Sequence, residues 1–241
     1  MRKFGLIGKD IAYSFSGKYF TQKFLSEKMT DADYQIYDLN QISTIENLII
    51  EQNLLGFNVT IPYKQEIIPF LHELSQEAQA IGAVNCVKIL DDKRIGYNTD
   101  AFGFEKSIVP LLENQHKKAL IFGDGGAAKA VKFVLNKLNI PFQSVTRKGE
   151  LKYSDVDQNL LSNHQILINC TPLGTYPNLT QKPNIPYEFI DSKHLVYDLI
   201  YNPEKTEFLK ISESKGAKIK NGYEMLVFQA EKSWEIWNQL L

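Results

Sequence analysis

One stretch restricts the fold more than any other: a short apolar strand, then closely spaced glycines, then an amphipathic helix. It reads ALIFGDGGAAKAVKFVLNKL and spans residues 119–138. Ala119–Phe122 predicts a buried strand, and small and aliphatic residues recur at helical spacing through Ala127–Leu138. A glycine turn that joins a strand directly to a helix is the opening unit of an α/β fold.

The glycines follow the spacing G-x-G-x-x-A of dinucleotide-binding loops. Gly123 permits the tight turn, Gly125 lets the backbone approach a pyrophosphate, and Ala128 allows close packing of helix on strand. The free N–H groups at the start of the helix then face the anion. A plain strand–turn–helix corner is the alternative. We predict a dinucleotide site formed by Gly123, Asp124, Gly125, Gly126 and Ala127.

The residues after the next predicted strand indicate which dinucleotide binds. Phe142–Thr146 has the pattern of that strand, and no carboxylate follows it before Glu150. NAD sites place an acidic residue here, whereas the planar fork of an arginine suits the 2′-phosphate of NADP. A solvated basic turn is the alternative. We predict NADP as the cofactor, bound by Thr146, Arg147 and Lys148.

Strand-like and helical runs alternate along the whole chain, which predicts the α/β class with parallel sheets. A polar stretch after the helix-like region Ala101–Glu113 precedes the glycine motif and marks a boundary. We therefore predict two domains, residues 1–103 and residues 104–222. The last segment, 223–241, has the pattern of an amphipathic helix, which by itself allows packing on either domain.

Composition excludes several classes of protein. Lys and Arg total 27 against 28 Asp and Glu, so the net charge of −1 gives no footprint for nucleic acid or an anionic membrane. Cys86 and Cys170 are far apart and lack metal-ligand spacing, so we predict no metal. Neither a signal peptide nor an apolar run of membrane-spanning length occurs. We expect a cytoplasmic protein whose partner is a small-molecule substrate.

Polar residues cluster at the predicted strand ends of the first half, where ligands of open α/β sheets bind. Reduction of a ketone needs a hydride donor and a proton source, and Lys64, charged at neutral pH, can donate that proton or polarise the carbonyl. A carboxylate such as Asp100 would hold the ammonium in place, although aspartate before a helix is also an ordinary cap. The cluster comprises Ser14, Ser16, Asn58, Thr60, Lys64, Asn85 and Asp100.

Several stretches together resemble one family. The sequence is similar to shikimate dehydrogenases along essentially its whole length, with the matching blocks in the family's order. The blocks are GLIGKDIAYSFS, GFNVTIPYK, IGAVN, GYNTDAFG, FGDGGAAKA, NCTPLG, DLIYNPEKTEFL and NGYEMLVFQA. Eight ordered blocks are far more specific than the glycine loop alone.

The resemblance implies a role for each matching residue. Lys64 and Asp100 match the family's catalytic pair. An N-terminal α/β substrate domain and a C-terminal Rossmann-type NADP-binding domain are implied, with the C-terminal helix returning to the first domain. The implied substrate residues are Ser14, Ser16, Thr60, Lys64, Asn85, Asp100, Tyr201 and Gln229. Further cofactor residues are Thr171, Leu199, Gly222 and Met225.

The implied reaction is the NADPH-dependent, reversible reduction of 3-dehydroshikimate to shikimate, by a monomer or a homodimer. The sequence departs from the family pattern at Gly17, where proline is usual. We therefore expect the loop that carries Ser14 and Ser16 to be less rigid than in the family. A quinate/shikimate dehydrogenase that uses NAD is one alternative. A non-catalytic dinucleotide-binding sensor on the same fold is another.

Overall fold

The computed structural model describes residues 1–11 and 14–239. Ala12 and Tyr13, which belong to the first matching block, lie outside these residues. The chain divides into two compact units: unit 1 is Met1–Thr99 with Gln229–Leu241, and unit 2 is Asp100–Phe228. The domain boundaries predicted from the sequence, at 103/104 and 222/223, lie a few residues away from these divisions.

Unit 1 contains strands β1 (Arg2–Gly8), β2 (Ala32–Asp38), β3 (Leu54–Val59), β4 (Glu73–Leu74), β5 (Cys86–Leu90) and β6 (Lys93–Tyr97). Its helices are α1 (Phe15–Ser26), α2 (Ile45–Gln52) and α3 (Gln76–Ile81). Helix α4 (Thr99–Ile108) starts at the last residue before unit 2.

Unit 2 contains strands β7 (Ala119–Phe122), β8 (Phe142–Val145), β9 (Ile166–Asn169), β10 (Leu195–Asp198) and β11 (Lys218–Lys220). Its helices are α5 (Gly126–Lys137), α6 (Gln158–Asn163) and α7 (Glu207–Ser214). Helix α8 (Tyr223–Asn238) starts in unit 2 and ends in unit 1.

Within the described residues, unit 1 forms a six-stranded sheet in the order β2-β1-β3-β5-β6-β4. β1 is parallel to β2 and β3, but β5 is antiparallel to both β3 and β6. The prediction of parallel strands therefore holds for this sheet except at β5. β5 is antiparallel because a hairpin turn at Asp91 and Asp92 connects it to β6 without a crossover helix. The two residues have φ angles of 47° and 62°.

The direction of β5 decides where the polar residues lie. Cys86, its first residue, pairs with Asn58 near the end of β3 and with Tyr97 at the end of β6. Asn85 therefore lies just before the start of a strand and not at the end of one, yet it is still at the edge where β3 and β6 end. The carboxyl ends of β1, β3 and β6 meet at this edge because the three strands run in the same direction.

Apolar side chains cover both faces of this sheet. Phe4 and Trp237 belong to the cluster on one face, and Phe57 belongs to the cluster on the other. Phe4 stacks on Trp237 with ring centroids 4.8 Å apart, and the indole N–H donates to the Val87 carbonyl at 2.9 Å. The C-terminal part of α8 is therefore built into the core of unit 1.

Residues 100–228, all of which are described, form a five-stranded parallel sheet in the order β11-β10-β9-β7-β8. β7, β9 and β10 are buried along their whole length, as expected for strands covered on both faces. The chain winds outward in opposite directions from β7, so the glycine loop after β7 lies at the switch point. Ligands of doubly wound sheets bind at such points.

Candidate active site

The glycine loop leads from β7 into α5. Gly123 has a φ of +101°, which glycine adopts without strain. Gly125 is the N-cap of α5 with a φ of −80°, which any residue tolerates, and a Cβ atom built on it would have no heavy atom within 4 Å. The packing of the chain therefore does not require glycine at 125, but close approach of a pyrophosphate does. The loop fits the dinucleotide that the sequence predicts.

Arg147 and Lys148 are exposed in the turn after β8. The Thr146 N–H donates to the Leu151 carbonyl at 3.0 Å, and Thr146 Oγ1 accepts a hydrogen bond from the Gly149 N–H at 2.8 Å. Thr146 therefore closes the turn with both its backbone and its side chain. The turn holds the two cations at the carboxyl end of the strand next to β7, where the phosphate of NADP is expected.

A buried carboxyl group organises the ends of β9 and β10. Asp198 accepts hydrogen bonds from Asn169 Nδ2 at 3.0 Å, Thr206 Oγ1 at 2.6 Å and the Ile200 N–H at 3.0 Å. Burial nevertheless raises the pKa of this carboxyl to about 6. Asn169 Oδ1 accepts from the N–H and the hydroxyl of Thr171 at 3.0 and 2.6 Å. The Asp198 network thus orients Thr171, a predicted cofactor residue.

Two other predicted cofactor residues, Leu199 and Gly222, lie against each other. The Gly222 N–H donates to the Ile200 carbonyl at 3.1 Å. A Cβ atom at position 222 would overlap the carbonyl oxygen of Leu199, so no larger residue fits without backbone movement. Met225 follows in the first turn of α8 and is buried.

Tyr201, a predicted substrate residue, lines a cavity of ≈ 370 Å³ within unit 2. This volume is at the lower end of the range for small-molecule sites. Lys220 and Glu224 form an ion pair of 2.6 Å in its wall. The remaining lining residues are Glu204, Asn221 and Tyr223.

Lys64 lies in the turns that follow β3 in unit 1 and is half-buried. Thr60 extends the ladder one residue beyond β3, because its N–H donates to the Ile7 carbonyl at 2.8 Å. The Lys64 carbonyl accepts from the Val84 N–H at 2.7 Å. The backbone of Lys64 is therefore tied to the residue immediately before Asn85.

Ser14 and Ser16 lie at the start of α1, after β1 and at the same sheet edge. Ser14 is the N-cap, and its hydroxyl accepts from the Ser16 N–H at 3.4 Å. Ser16 is buried, and its side chain lowers the pKa of the Tyr34 phenol, which partly offsets the effect of burial. Burial raises the pKa of Tyr34 well above its ordinary value, so this phenol stays protonated.

Asn85 and Gln229 meet inside unit 1. Asn85 Nδ2 donates to Thr99 Oγ1 at 2.9 Å and to Gln229 Oε1 at 3.4 Å, and Asn85 Oδ1 accepts from the Thr99 N–H at 2.6 Å. All three residues are buried. Two predicted substrate residues are thus brought together by a third, Thr99, which the sequence did not indicate.

The predicted site residues divide between the two units. Asp100 is buried in the first turn of α4 and is the first residue of unit 2. Tyr201 and every predicted cofactor residue also belong to unit 2. Unit 1 contains Ser14, Ser16, Thr60, Lys64, Asn85 and Gln229.

Known proteins are similar in sequence to this chain over nearly its whole length. A family model described as the shikimate dehydrogenase substrate binding domain matches residues 6–87. A shikimate dehydrogenase (NADP(+)) of Clostridium botulinum is 37% identical over 247 residues, which cover 97% of this chain and 95% of the relative. The chain belongs to the shikimate dehydrogenase family. A relative of the same name from Methanococcus maripaludis is 37% identical over 256 residues, covering 97% of this chain and 90% of the relative.

A solved structure extends the similarity to the fold. The shikimate 5-dehydrogenase of Thermus thermophilus, crystallised with NADP(H) and shikimate, superposes with a TM-score of 0.88 at 28% identity. The match covers 100% of this chain and 95% of that one. The family and the fold class predicted from the sequence are confirmed.

Two features are absent from residues 1–11 and 14–239. No helix there is both long enough and apolar enough to cross a membrane. No group of three or more His, Cys, Asp or Glu side chains there is arranged to hold a metal ion.

The structure also explains one departure from the family pattern. A Cβ atom at Gly17 would approach Ile36 Cδ1 to 3.0 Å, a tight contact between α1 and β2. A proline at 17 would therefore require Ile36 to shift. Glycine here suits the particular packing of Ile36 in this member of the shikimate dehydrogenase family.

Proposed function

We propose that this member of the family catalyses the reversible, NADPH-dependent reduction of 3-dehydroshikimate to shikimate. The observation that carries the proposal is the placement of Lys64. Its carbonyl accepts from the Val84 N–H at 2.7 Å, so the Lys64 amine and the Asn85 amide arise from adjoining backbone at one sheet edge. A polyhydroxylated ketone requires this combination of a proton donor and amide partners.

The residues of this chain then act as follows. Ser14 and Ser16 bind the carboxylate of the substrate, and Thr60, Asn85 and Gln229 are the other proposed substrate residues of unit 1. Tyr201 is a proposed substrate residue of unit 2. Lys64 Nζ gives its proton to the carbonyl oxygen during reduction and takes it back during oxidation. Asp100 is the second member of the proposed catalytic pair.

The cofactor residues form a second set. NADP(H), when bound, supplies or accepts the hydride. Gly123–Ala127 bind its pyrophosphate through backbone N–H groups, and Arg147 and Lys148 bind its 2′-phosphate. Leu199, Gly222 and Met225 would hold its nicotinamide. A cytoplasmic location and a monomeric or dimeric state stay predictions from the sequence.

The test is the initial rate of shikimate oxidation by the purified protein, followed as absorbance of the reduced cofactor. NADP and NAD are compared, with quinate as a parallel substrate, and cofactor binding is measured separately by fluorescence. NADP-linked turnover of shikimate in large excess over the other pairs is the expected result. Comparable NAD-linked turnover of quinate would favour the quinate/shikimate alternative. Tight NADP binding without turnover of either substrate would contradict the proposal and favour the sensor.

A further inference from the structure

A row of buried, uncharged polar side chains crosses the core of unit 1. Tyr34 Oη donates to Asn58 Oδ1 at 2.9 Å, Asn58 Nδ2 donates to Ser233 Oγ at 2.9 Å, and Ser233 Oγ lies 3.1 Å from Thr99 Oγ1. We call these four residues, Tyr34, Asn58, Thr99 and Ser233, the polar row. The exposed fraction of each is 6%, 4%, 1% and 0% in that order. None of them has a role in the proposed reaction.

Both ends of the polar row contact proposed substrate residues. At one end, the phenol of Tyr34 interacts electrostatically with the side chain of Ser16, a proposed partner of the carboxylate. At the other end, Thr99 contacts Asn85 and Gln229. The row therefore connects the two parts of the substrate site through the interior of one unit.

The hydrogen bonds of the row determine how the Asn85 amide is oriented. Asn85 Oδ1 must face the Thr99 N–H, 2.6 Å away, because a backbone N–H can only donate. Nδ2 then faces Thr99 Oγ1 and Gln229 Oε1. Donor and acceptor positions of both amides are thus assigned before a substrate arrives.

Ser233 holds Thr99 in the orientation that this arrangement needs. Its single proton goes to the Gln229 carbonyl one helical turn earlier, at 2.9 Å. Ser233 therefore accepts from both Asn58 Nδ2 and the Thr99 hydroxyl. With its own proton directed to Ser233, the Thr99 hydroxyl accepts from Asn85 Nδ2.

Stability alone does not explain the row. It lies on the face of the sheet where Phe4, Phe20 and Trp237 form an apolar cluster. Replacing buried hydrogen-bonded pairs by apolar groups of similar shape is often neutral or stabilising. We therefore look for a functional reason for the four polar side chains. The residues at the two ends of the row indicate that this reason is the positioning of the substrate site.

We propose that Ser233, through Thr99, is a positioning residue that fixes the Asn85 and Gln229 amides for the hydroxyl groups of shikimate. This inference rests on the proposed function. Ser233 does not touch the reacting atoms, so its loss affects substrate binding more than the chemical step.

The test compares Ser233→Ala with Ser212→Ala. Both serines are fully buried in helices, and both donate to the carbonyl four residues earlier, Ser212 to Phe208 at 2.7 Å. Ser212 lies on α7 in unit 2, and its hydroxyl donates to Phe208, which has no role in the proposed reaction. We expect Ser233→Ala to raise the KM for shikimate roughly three- to tenfold, as for loss of one or two buried hydrogen bonds. Its kcat and its KM for NADP should stay within about twofold, and Ser212→Ala should leave all three values unchanged.

Tyr34→Phe provides a second variant that keeps the ring stacked on Phe20, 4.3 Å away. It should also raise the KM for shikimate. This variant keeps the inference testable if Ser233→Ala does not fold. An active wild-type protein with an unchanged KM in the variants would overturn the inference alone. Equal changes in kcat and in both KM values would reduce the row to a structural role. A wild-type protein that does not oxidise shikimate would overturn the proposed function and this inference with it.

Discussion

The two units use different buried groups to hold their proposed binding residues. The polar row of unit 1 consists of uncharged side chains, whereas unit 2 buries a carboxyl group at the carboxyl ends of its strands. The four side chains of the row are two hydroxyls, one phenol and one amide. In unit 2 the ends of β9 and β10 are organised by Asp198, with Asn169 and Thr206 as its partners. Both networks hold proposed binding residues in place, but only the second one titrates near neutral pH.

The difference separates two ways of fixing a binding site. Neutral groups hold the Asn85 and Gln229 amides, which are proposed to bind the substrate, in an orientation that does not vary with pH. A buried carboxylate holds the cofactor loops more strongly, because hydrogen bonds to a charged acceptor are stronger, but it makes the order of those loops depend on pH. We therefore expect substitutions of the unit 1 site residues to change turnover or substrate binding, and substitutions of the glycine loop and of the turn after β8 in unit 2 to change cofactor binding.

The largest effect is expected for Lys64→Met in unit 1. Loss of the proton donor should lower kcat by about 10²- to 10⁴-fold, the usual contribution of a general acid. The Kd for NADP, measured by fluorescence titration, should change less than about twofold, because the cofactor residues belong to unit 2. An unchanged kcat would remove Lys64 from the mechanism, and a large loss of NADP affinity would break the division between the units.

Next in size is the effect of Gly125→Val in unit 2. A side chain there has open space, so the free energy of unfolding should change by less than about 0.5 kcal/mol. NADP affinity should fall by on the order of 100-fold, because the side chain would occupy the place of the pyrophosphate.

Gly222→Ala is the matched control for this prediction, with the opposite outcome for stability. Its Cβ atom would overlap the Leu199 carbonyl, and we expect a destabilisation of about 1–3 kcal/mol in urea unfolding. A Gly125→Val protein that binds NADP normally would contradict the proposed path of the cofactor.

Arg147→Ala should separate the two cofactors. Loss of a charge-assisted hydrogen bond to the 2′-phosphate should raise the KM for NADP by roughly 10- to 100-fold and leave the KM for NAD unchanged. Lys193→Ala, which removes an exposed cation before β10 at the opposite edge of the sheet, should affect neither value. Equal effects of Arg147→Ala on both cofactors would contradict the assignment of NADP.

The smallest effect concerns the pH dependence of stability. Burial raises the pKa of Asp198 from 3.8 to about 6, so between these values the native state binds a proton that the unfolded chain has released. Stability therefore falls as pH rises through this window. Asp198 alone should make the protein less stable at pH 7.5 than at pH 5 by on the order of 1 kcal/mol.

This slope should be absent in Asp198→Asn, as measured by urea unfolding at both pH values. Asp155→Asn is the control: backbone and side-chain hydrogen bonds lower the pKa of this exposed carboxyl, so its titration lies below the window. A slope that persists in Asp198→Asn would assign the pH dependence to another group. In that case the two units would no longer differ in the way described above.

The sequence predicted the cofactor loop well because its signal is local. Strand, glycines and helix follow one another within 119–138, and α5 starts and ends within one residue of the predicted Ala127–Leu138. The resemblance likewise named Lys64, Asn85 and Gln229, since each belongs to a continuous block of sequence.

The polar row was not predictable in this way because its contacts are distant in sequence. Ser233 and Asn58 are 175 residues apart, and Ser233 and Thr99 are 134 apart. A single serine inside an amphipathic helix carries no signal of such partners. The direction of β5 was missed for a related reason: the adjoining aspartates of its turn lack the glycine that usually announces a two-residue hairpin.

That hairpin turn has a practical consequence. β5 starts at the edge where the proposed substrate residues lie and runs away from it, so Asp91 and Asp92 lie at the far edge of the sheet. Both are exposed, and their left-handed backbone conformation is one that glycine also adopts. Exposed turn tips of this kind tolerate insertions. An affinity tag or a fluorescent label is therefore best inserted between Asp91 and Asp92. The whole length of β5 then separates it from the proposed substrate residues.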